Sequence, residues 1–243
     1  KNILSINNFN FIHLESVEST MISIKNFIGT QNFCMLADEQ ISGIGRRGNK
    51  WVSPKGNIYI SFLIKYDLPI ENHFLFSAFT ANSIIKFLSK YIDENINIKW
   101  PNDIIINNKK IAGIMTEIVE HNNTPYIIIG LGINILTSPK IKDYKTCSLK
   151  DYKDNLKYEN VLINFMESFF GEYEMMKKKN YDQILNLFKN KMSYFGSKIN
   201  ILLPNGDVKN ILLKNLNLDG SLLVEGDGKE ENIFSGRIIN DIN

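Results

Sequence analysis

Cationic side chains set among glycines are the residues of this chain best suited to chemistry. Segment 43–56 reads GIGRRGNKWVSPKG, so three glycines surround Arg46 and Arg47, and Trp51 follows closely. Glycine loses more backbone freedom on ordering than any other residue, so neither a helix nor a central strand is expected here. Backbone N–H groups and guanidinium forks in such a loop suit an anion. We predict a loop that is mobile when empty and that orders over an anionic ligand.

A second cation is predicted in segment 96–120, INIKWPNDIIINNKKIAGIMTEIVE. Residues 103–106 and 111–119 have the pattern of paired strands around an Asn-Asn turn. Lys109 and Lys110 leave that turn together, and the two-residue period of a strand sends them to opposite faces. One lysine is therefore expected in solvent, and the other is free to point inward.

Three glycines interrupt strands that are otherwise apolar. Gly113 lies inside the second strand of the pair, and Gly130 and Gly132 lie in the predicted strand 124–136, TPYIIIGLGINIL. A glycine inside a strand gives up side-chain packing and often marks close approach by a ligand or a backbone. We therefore predict that something needs the space above these glycines.

Two hydroxyls, Ser19 and Thr20, precede a helical pattern that stops at Gly29. Helix capping explains either hydroxyl alone. It does not exclude a second role, because a helix N-terminus also offers unpaired N–H groups to a ligand.

The rest of the chain divides at residue 195. Before it, strands and helices mix; after it come short strands with turns at PNG, DG and GDG. We predict a large domain over 1–195 and a small all-β domain over 196–243. The other predicted elements of the large domain are the strands 33–38 and 57–65 and the helices 73–92, 160–179 and 181–192.

Composition narrows the function classes. The 243 residues are 44% hydrophobic and 22% charged with a net charge of +2, so any cationic role is local, and nucleic acid is not expected as the main partner. No apolar run reaches the roughly 18 residues of a membrane span. Cys34 and Cys147 lack metal-ligand spacing, and neither they nor the three histidines suggest a nucleophilic dyad. The candidate functional groups that remain are cationic side chains and backbone donors. These groups suit a reaction that joins a carboxylate to a nucleotide phosphate.

Four blocks together closely resemble the biotin protein ligases. They are GRRG-x-x-W, KWPND, K-x-AGI and GxGIN, and with EST upstream they fall in order between Glu18 and Asn134. EST or GLGIN alone would be a weak match. Ile44 departs from the arginine that many family members carry between the first two glycines.

The resemblance implies a two-step reaction. Biotin and MgATP give biotinyl-5′-AMP and pyrophosphate, and a lysine of a biotin carboxyl carrier domain then attacks the mixed anhydride. It also implies an α+β fold of the class II aminoacyl-tRNA synthetase-like, biotin-lipoate ligase-like type. In that fold a mixed, largely antiparallel sheet is flanked by helices, and a small C-terminal SH3-like β barrel follows.

Site residues carry over from the family position by position. By this resemblance, Lys110 matches the family's catalytic lysine, Arg46 is expected to contact phosphate or the biotin carboxylate, Trp51 to stack on adenine, and Asp103 to lie near Mg²⁺. The positions that the resemblance assigns to biotin are Ser19, Thr20, Gln40, Gly43, Ile44, Gly113, Gly130 and Gly132. Those assigned to ATP or the adenylate are Arg46, Arg47, Trp51, Asn102, Lys110 and Asn134.

The resemblance further implies a biotin carboxyl carrier protein as partner and a monomer or homodimer. A cytoplasmic location is expected, or an organellar one if a leader once preceded Lys1. Too few residues precede Glu15 for the helix-turn-helix domain of some members, so DNA binding is not expected.

Two alternatives remain. A lipoate protein ligase shares the two-step logic, but RRGNKW and KWPND are biotin-type motifs. A nucleic-acid-binding module would need clustered aromatics on the small domain, which has only Phe234.

Overall fold

The fold is built on an eight-stranded mixed sheet and a separate five-stranded sheet. It is taken from a computed structural model that describes residues 4–30, 32–142 and 144–239. The large sheet is made of the strands β1 (Leu4–Ile6), β2 (Phe9–Val17), β3 (Phe33–Gln40), β4 (Ile58–Lys65), β5 (Ile96–Lys99), β6 (Asp103–Ile106), β7 (Lys109–His121) and β8 (Thr124–Ile133). The helices are α1 (Thr20–Ser23), α2 (Phe74–Leu88), α3 (Tyr158–Lys177) and α4 (Tyr181–Lys191).

The large sheet has the order β1-β2-β3-β4-β8-β7-β6-β5. Only β2 and β3 pair in parallel, and every other neighbouring pair is antiparallel. The parallel pair is possible because α1 and the 3-10 turn Ile24–Phe27 carry the chain back between the two strands. The predicted mixed, largely antiparallel sheet is confirmed.

Strict alternation divides the central strands between two faces. In β8, Ile127, Ile129, Leu131 and Ile133 pack in the main apolar cluster with residues of α2, α3 and α4. Ile128, on the other face, packs in a smaller cluster with residues of α1 and β3. Both faces of the central strands are therefore covered, as the sequence of β4 predicted.

The second sheet consists of five antiparallel strands in the order β12-β11-β10-β9-β13. Its strands are β9 (Lys198–Leu202), β10 (Val208–Leu216), β11 (Leu222–Gly226), β12 (Lys229–Ile233) and β13 (Arg237–Ile238). In the part of the chain that the structure describes, β12 and β13 are unpaired edges, so the sheet is open and a closed barrel is not confirmed. Its buried side chains, such as Ile199 and Leu222, share one apolar cluster with the large sheet.

Trp100 joins the two sheets. Its indole is buried and donates a hydrogen bond from Nε1 to the carbonyl of Gly220, 2.9 Å away. Gly220 has φ of +83°, and a Cβ there would collide with the ring of Phe74. The turn of the small sheet can therefore lie against the start of α2 only because residue 220 has no side chain.

The predicted elements differ from the structure mainly at their ends. The first helix is a single α turn followed by a 3-10 turn, and the 73–92 helix spans only Phe74–Leu88. The strands β1 and β2 were not predicted. Across the described residues, no helix has both the length and the apolar character needed to cross a bilayer.

Candidate functional site

The strand glycines form the floor of the site. Gly113 of β7 pairs in register with Gly132 of β8, and Gly130 lies two residues earlier on the same face. A Cβ on Gly132 would collide with the indole of Trp51, and one on Gly130 would collide with the side chain of Met21. The prediction that something needs this space is confirmed: in this structure two side chains fill it.

Lys110 lies at the edge of this floor, as the inward lysine of the predicted pair. Its Nζ lies 2.7 Å from Oδ1 of Asp103, and its side chain is 15% exposed. The same ammonium lies 4.9 Å from the ring centroid of Trp51 and 5.4 Å from that of Tyr144. Lys109, its neighbour, is exposed. The alternation predicted for the two lysines is confirmed.

The glycine-rich loop is closed by short antiparallel contacts. Isolated bridges join Gln40 to Ser53 and Ile44 to Lys50, and the N–H of Trp51 donates to the carbonyl of Gly43 at 2.8 Å. These contacts hold the indole over the glycine floor while the tip of the loop remains exposed.

The two arginines of the loop tip point to different partners. Nη1 of Arg46 donates to Oδ1 of Asn102 at 3.3 Å, and Nη2 of Arg47 donates at 2.7 Å to Oγ of Ser235, which lies between β12 and β13 of the small sheet. Burial lowers the pKa of Arg46, the charge of Arg47 lowers it further, and Asp103 opposes both. An arginine stays protonated under such conditions, so the site keeps a partly desolvated fixed cation.

A hydrogen-bonded group of polar side chains lies at the α1 end of the floor. Oε1 of Gln40 accepts from the Thr20 N–H at 2.8 Å and from the Thr20 hydroxyl at 3.1 Å. Ser61 donates to Oγ1 of Thr20 at 2.8 Å. Ser61 pairs in register with Gly130, so this group borders the glycine floor.

Buried polar atoms without a hydrogen-bond partner occur at both ends of the glycine floor. Among the described residues, the buried side-chain atoms without a hydrogen-bond partner are Oγ of Ser19, Nε1 of Trp51, Oδ1 of Asn134 and Oε2 of Glu172. The first three belong to predicted site residues. Such atoms are rare because desolvating them is costly, so a ligand that pairs with them is the simplest explanation. Ser19 is the N-cap of α1, yet its hydroxyl makes no capping bond.

Asn134 connects the floor to a small cavity. Its Nδ2 donates to the carbonyl of Cys147 at 3.0 Å, which aims the side chain but leaves the oxygen unpaired. The cavity is lined by Asn134 together with Lys110, Trp51 and Tyr144. A wider open groove of about 520 Å³ runs between Ile118 and Phe234, but it contains no predicted site residue.

The structure therefore brings the predicted residues into one continuous site with two ends. Ser19, Thr20 and Gln40 form the polar end, the three strand glycines form the floor, and Trp51, Lys110 and Asn134 form the cationic end. Gly43 begins the loop and packs against Trp51 and Ser53, and Ile44 follows it in the bridge to Lys50. Arg46, Asn102 and Asp103 border Lys110, whereas Arg47 turns away toward the small sheet.

Sequence reasoning missed four residues of this site: Met21, Ser53, Ser61 and Tyr144. Met21 and Ser61 follow patterns that a buried helix and a buried strand explain fully. Ser53 and Tyr144 lie in loops, and their sequence surroundings carried no signal that Ser53 would be buried or that the half-exposed ring of Tyr144 would lie beside Lys110.

The chain resembles known proteins in both sequence and fold. Residues 14–134 match the model of the biotin/lipoate A/B protein ligase family. The chain is similar to the bifunctional ligase/repressor BirA of Bacillus subtilis, with 26% identity over 232 residues that cover 93% of this chain and 71% of the relative. It is also similar to the biotin--[acetyl-CoA-carboxylase] ligase of Mycobacterium tuberculosis, with 21% identity covering 84% of this chain and 77% of that protein.

Among solved structures, the fold resembles that of the biotin protein ligase from Aquifex aeolicus in complex with biotin and ATP. The TM-score is 0.76 at 22% sequence identity, and the match covers 96% of this chain and 98% of that one. The matched family segment contains the glycine floor, the loop and Lys110. The chain therefore carries a domain of the biotin/lipoate A/B protein ligase family.

Proposed function

We propose that this chain is a biotin protein ligase. It activates biotin with MgATP to biotinyl-5′-AMP and pyrophosphate, and then transfers biotin to a lysine of a carrier domain. One observation carries the proposal: three buried, unpartnered polar atoms, on Ser19, Trp51 and Asn134, surround a glycine floor that ends at Lys110. The Mycobacterium tuberculosis relative, whose name describes a biotin ligase, supports the same activity.

The cationic end fits the first step. A carboxylate and a triphosphate repel each other, and fixed positive charge offsets that repulsion most strongly where developing negative charge accumulates. Lys110 and Arg46 supply the charge. Asp103 holds the Lys110 ammonium at 2.7 Å, so the lysine is already aimed before a ligand arrives. As the carboxylate oxygen bonds to the α-phosphorus, pyrophosphate leaves with the electron pair of the broken bond.

The polar end favours biotin over lipoate. Biotin ends in a ureido ring that both donates and accepts hydrogen bonds, whereas lipoate ends in a dithiolane that does neither well. The Ser19 hydroxyl is buried and unpartnered, and Thr20 and Gln40 lie beside it. An apolar ring at this end would leave that hydroxyl unpaired, which strongly disfavours the analogue.

Asp103 is the residue proposed to hold Mg²⁺. Among the described residues, no group of three or more His, Cys, Asp or Glu side chains could hold a metal ion by itself. Mg²⁺ needs no such group, because it is commonly bound by one or two carboxylates together with substrate phosphates. When bound, the ion would neutralise phosphate charge beside Lys110.

We further propose the assignment of ligands along the site. Ser19, Thr20, Gln40, Gly43, Ile44, Gly113, Gly130 and Gly132 form the biotin part, and Arg46, Arg47, Trp51, Asn102, Lys110 and Asn134 form the ATP part. Trp51 covers both Gly113 and Gly132 in this structure, so its indole must move when the space beneath it is needed. Stacking on adenine would then give the indole a new apolar contact.

The small C-terminal sheet is proposed as the family's SH3-like domain, with the boundary between residues 195 and 196. The Arg47–Ser235 hydrogen bond supports a role in steadying the loop tip. The acceptor is proposed to be a biotin carboxyl carrier domain, and the name of the Mycobacterium tuberculosis relative supports a carboxylase as its source. A cytoplasmic monomer or homodimer that does not bind nucleic acid is the corresponding proposal for the assembly.

Biotin-dependent exchange between ATP and pyrophosphate tests the proposal. We expect exchange with biotin and none above background with lipoate, followed by transfer of biotin to a purified carrier domain. Exchange with lipoate but not biotin would overturn the substrate assignment. Tight, steeply salt-dependent binding to nucleic acid without exchange would overturn the activity itself.

A further inference from the structure

Ser53 lies where the two ends of the site meet. Its Oγ accepts a hydrogen bond from Nε2 of Gln40 at 2.9 Å and lies 2.9 Å from the carbonyl oxygen of Trp51. Gln40 belongs to the polar end and Trp51 to the cationic end. Ser53 is only 6% exposed, so water does not readily replace these contacts.

The donors and acceptors along this connection have a single consistent arrangement. The Thr20 N–H is only a donor, so the Gln40 atom that it contacts must be the oxygen. The Gln40 amide nitrogen must then face Ser53. The Trp51 carbonyl is only an acceptor, so the Ser53 hydroxyl donates to it and accepts from Gln40.

This arrangement fixes what the polar end offers to a ligand. Oε1 of Gln40 receives two hydrogen bonds from Thr20, and one N–H of Nε2 is used by Ser53. The second N–H of the amide remains to donate to a ligand. Without Ser53, the amide would lose the partner that holds Nε2 in place.

Gly43 provides independent evidence that three groups pack closely here: the Ser53 hydroxyl, the Gln40 amide and the Trp51 carbonyl. We call these three groups the junction. A Cβ at position 43 would lie 2.6 Å from Oγ of Ser53 and 2.9 Å from Nε2 of Gln40, and it would collide with the Trp51 carbonyl. All three groups of the junction thus occupy the space that a side chain would need. Gly43 has no positive φ that would otherwise explain a glycine.

We propose that Ser53 is a positioning residue of the ligase, an inference that rests on the proposed function. Its hydroxyl orients the Gln40 amide toward the ureido ring and ties that amide to the backbone of Trp51. Binding at the polar end and placement of the indole at the cationic end are therefore linked through one side chain. The serine touches no reacting atom.

Ser53→Ala tests the proposal through steady-state exchange kinetics. The loss of two hydrogen bonds is expected to raise the KM for biotin by about tenfold to thirtyfold, with kcat within about twofold of the wild type. A purely structural serine would instead lower the active fraction, so kcat would fall and the KM for biotin would stay unchanged. That second pattern would overturn the proposal.

The proposed link between the two ends of the site can also be measured by ligand binding. Trp100→Phe leaves Trp51 as the sole tryptophan, so its fluorescence reports on the site. In that background we expect a non-hydrolysable ATP analogue to tighten biotin binding by several-fold with Ser53, and to change it by less than twofold in Ser53→Ala. Equal tightening with and without the hydroxyl would contradict the proposed link.

Two further variants separate folding from positioning. Ser42→Ala removes an exposed hydroxyl two residues from Gln40 and is expected to leave both constants unchanged. Gly43→Ala keeps Ser53 but pushes its Oγ away, so the same rise in KM is expected even if Ser53→Ala does not fold. If the wild type shows no biotin-dependent exchange, the proposed function fails. If exchange is normal and Gly43→Ala and Ser53→Ala match the wild type, only the role of Ser53 fails.

Discussion

The two faces of the central strands serve different purposes, although alternate residues of the same strands form them. On one face, β8 presents Ile127, Ile129 and Leu131 to the helices, and all three are buried in the main cluster. On the other face the same strand presents Ile128 and then changes to glycine at Gly130. One face is packed with the strand's own apolar side chains, and on the other the glycines leave space above the backbone for Met21 and Trp51.

This difference separates stability from function along a single strand. The helix-covered face gains from close packing, because each buried methylene contributes roughly 0.8 kcal/mol. The glycine face gives up that contribution at Gly113, Gly130 and Gly132, and its space is filled by side chains from elsewhere, Met21 and Trp51. Neighbouring residues of β8 should therefore respond to mutation in opposite ways, and the following predictions test that separation.

The largest effect is expected at Lys110. Lys110→Ala removes the charge that lies 2.7 Å from Asp103, and biotin-dependent exchange should fall by about 100-fold to 1,000-fold. The melting temperature should change little, because the lysine lies on the glycine face. The matched control is Lys109→Ala, whose side chain is exposed, and which should exchange at the wild-type rate. If Lys110→Ala kept an exchange rate within tenfold of the wild type, the proposed catalytic role of Lys110 would be contradicted.

On the helix-covered face, Ile129→Ala should be severe for stability. Ile129 is fully buried, and truncation of a buried isoleucine costs about 2–5 kcal/mol of unfolding free energy. Urea unfolding measures this loss, while the KM for biotin of the folded fraction should be unchanged. Ile163 on α3 is 56% exposed, so Ile163→Ala should cost less than about 0.5 kcal/mol. A changed KM in Ile129→Ala would show that the two faces are not independent.

Gly132→Ala should give the opposite result. Its new methyl group would collide with the indole of Trp51, so the affinity for biotin, measured by titration, should weaken by at least about tenfold. The unfolding free energy should change by less than about 1 kcal/mol, since the loop that carries the indole is partly exposed. Gly171→Ala in α3, where the nearest atom is Nζ of Lys86 at 3.8 Å, serves as the control. Unchanged affinity in Gly132→Ala would mean that the ligand does not use this floor.

The smallest effect is a loss of stability in alkali. Burial raises the pKa of Cys147 to about 11 and that of Tyr158 to about 12. Well below pH 9 the cysteine is protonated in both the folded and the unfolded chain, so it adds no pH dependence there. Above pH 9 only the unfolded chain loses the proton, so the free energy of unfolding falls as pH rises, by at most about 1.4 kcal/mol per pH unit for a fully buried group.

Urea midpoints measured between pH 9 and pH 11 check this last prediction. Cys147→Ala removes one of the titrating groups and should show a shallower fall than the wild type. Cys147 belongs to the helix-covered cluster, so the KM for biotin is not expected to share this dependence on the thiol. A midpoint that is constant over this range would contradict the prediction.

Much of this architecture could be predicted from local patterns. The strands around residues 33–40, 58–65 and 103–133 were predicted because apolar and β-branched residues cluster between turn residues. The strand β2 was missed because its residues FNFIHLESV mix polar and apolar side chains and show no clear alternation. It is stabilised as a strand by its parallel partner β3, a contact that no local pattern encodes.

The site shows the same limit. Trp51 and the strand glycines could be predicted as site residues, because tryptophan in a basic loop and glycine inside an apolar strand are unusual. Lys110 could be predicted because it follows a turn and begins the K-x-AGI block. Ser53 carried no such signal. Its position was decided by the bridge between Gln40 and Ser53, which places a loop residue beside a side chain 13 positions away.

The sequence by itself determined the alternation of β8, the change from isoleucine to glycine on one face, and the two lysines that leave one turn in opposite directions. These follow from the two-residue period of a strand, which is a local property of the chain. Only the tertiary structure decided which side chains fill the space above the glycines. Met21 and Trp51 reach Gly130 and Gly132 because long-range strand pairing and one hydrogen-bonded loop bring them there, and such contacts depend on the register of the whole sheet.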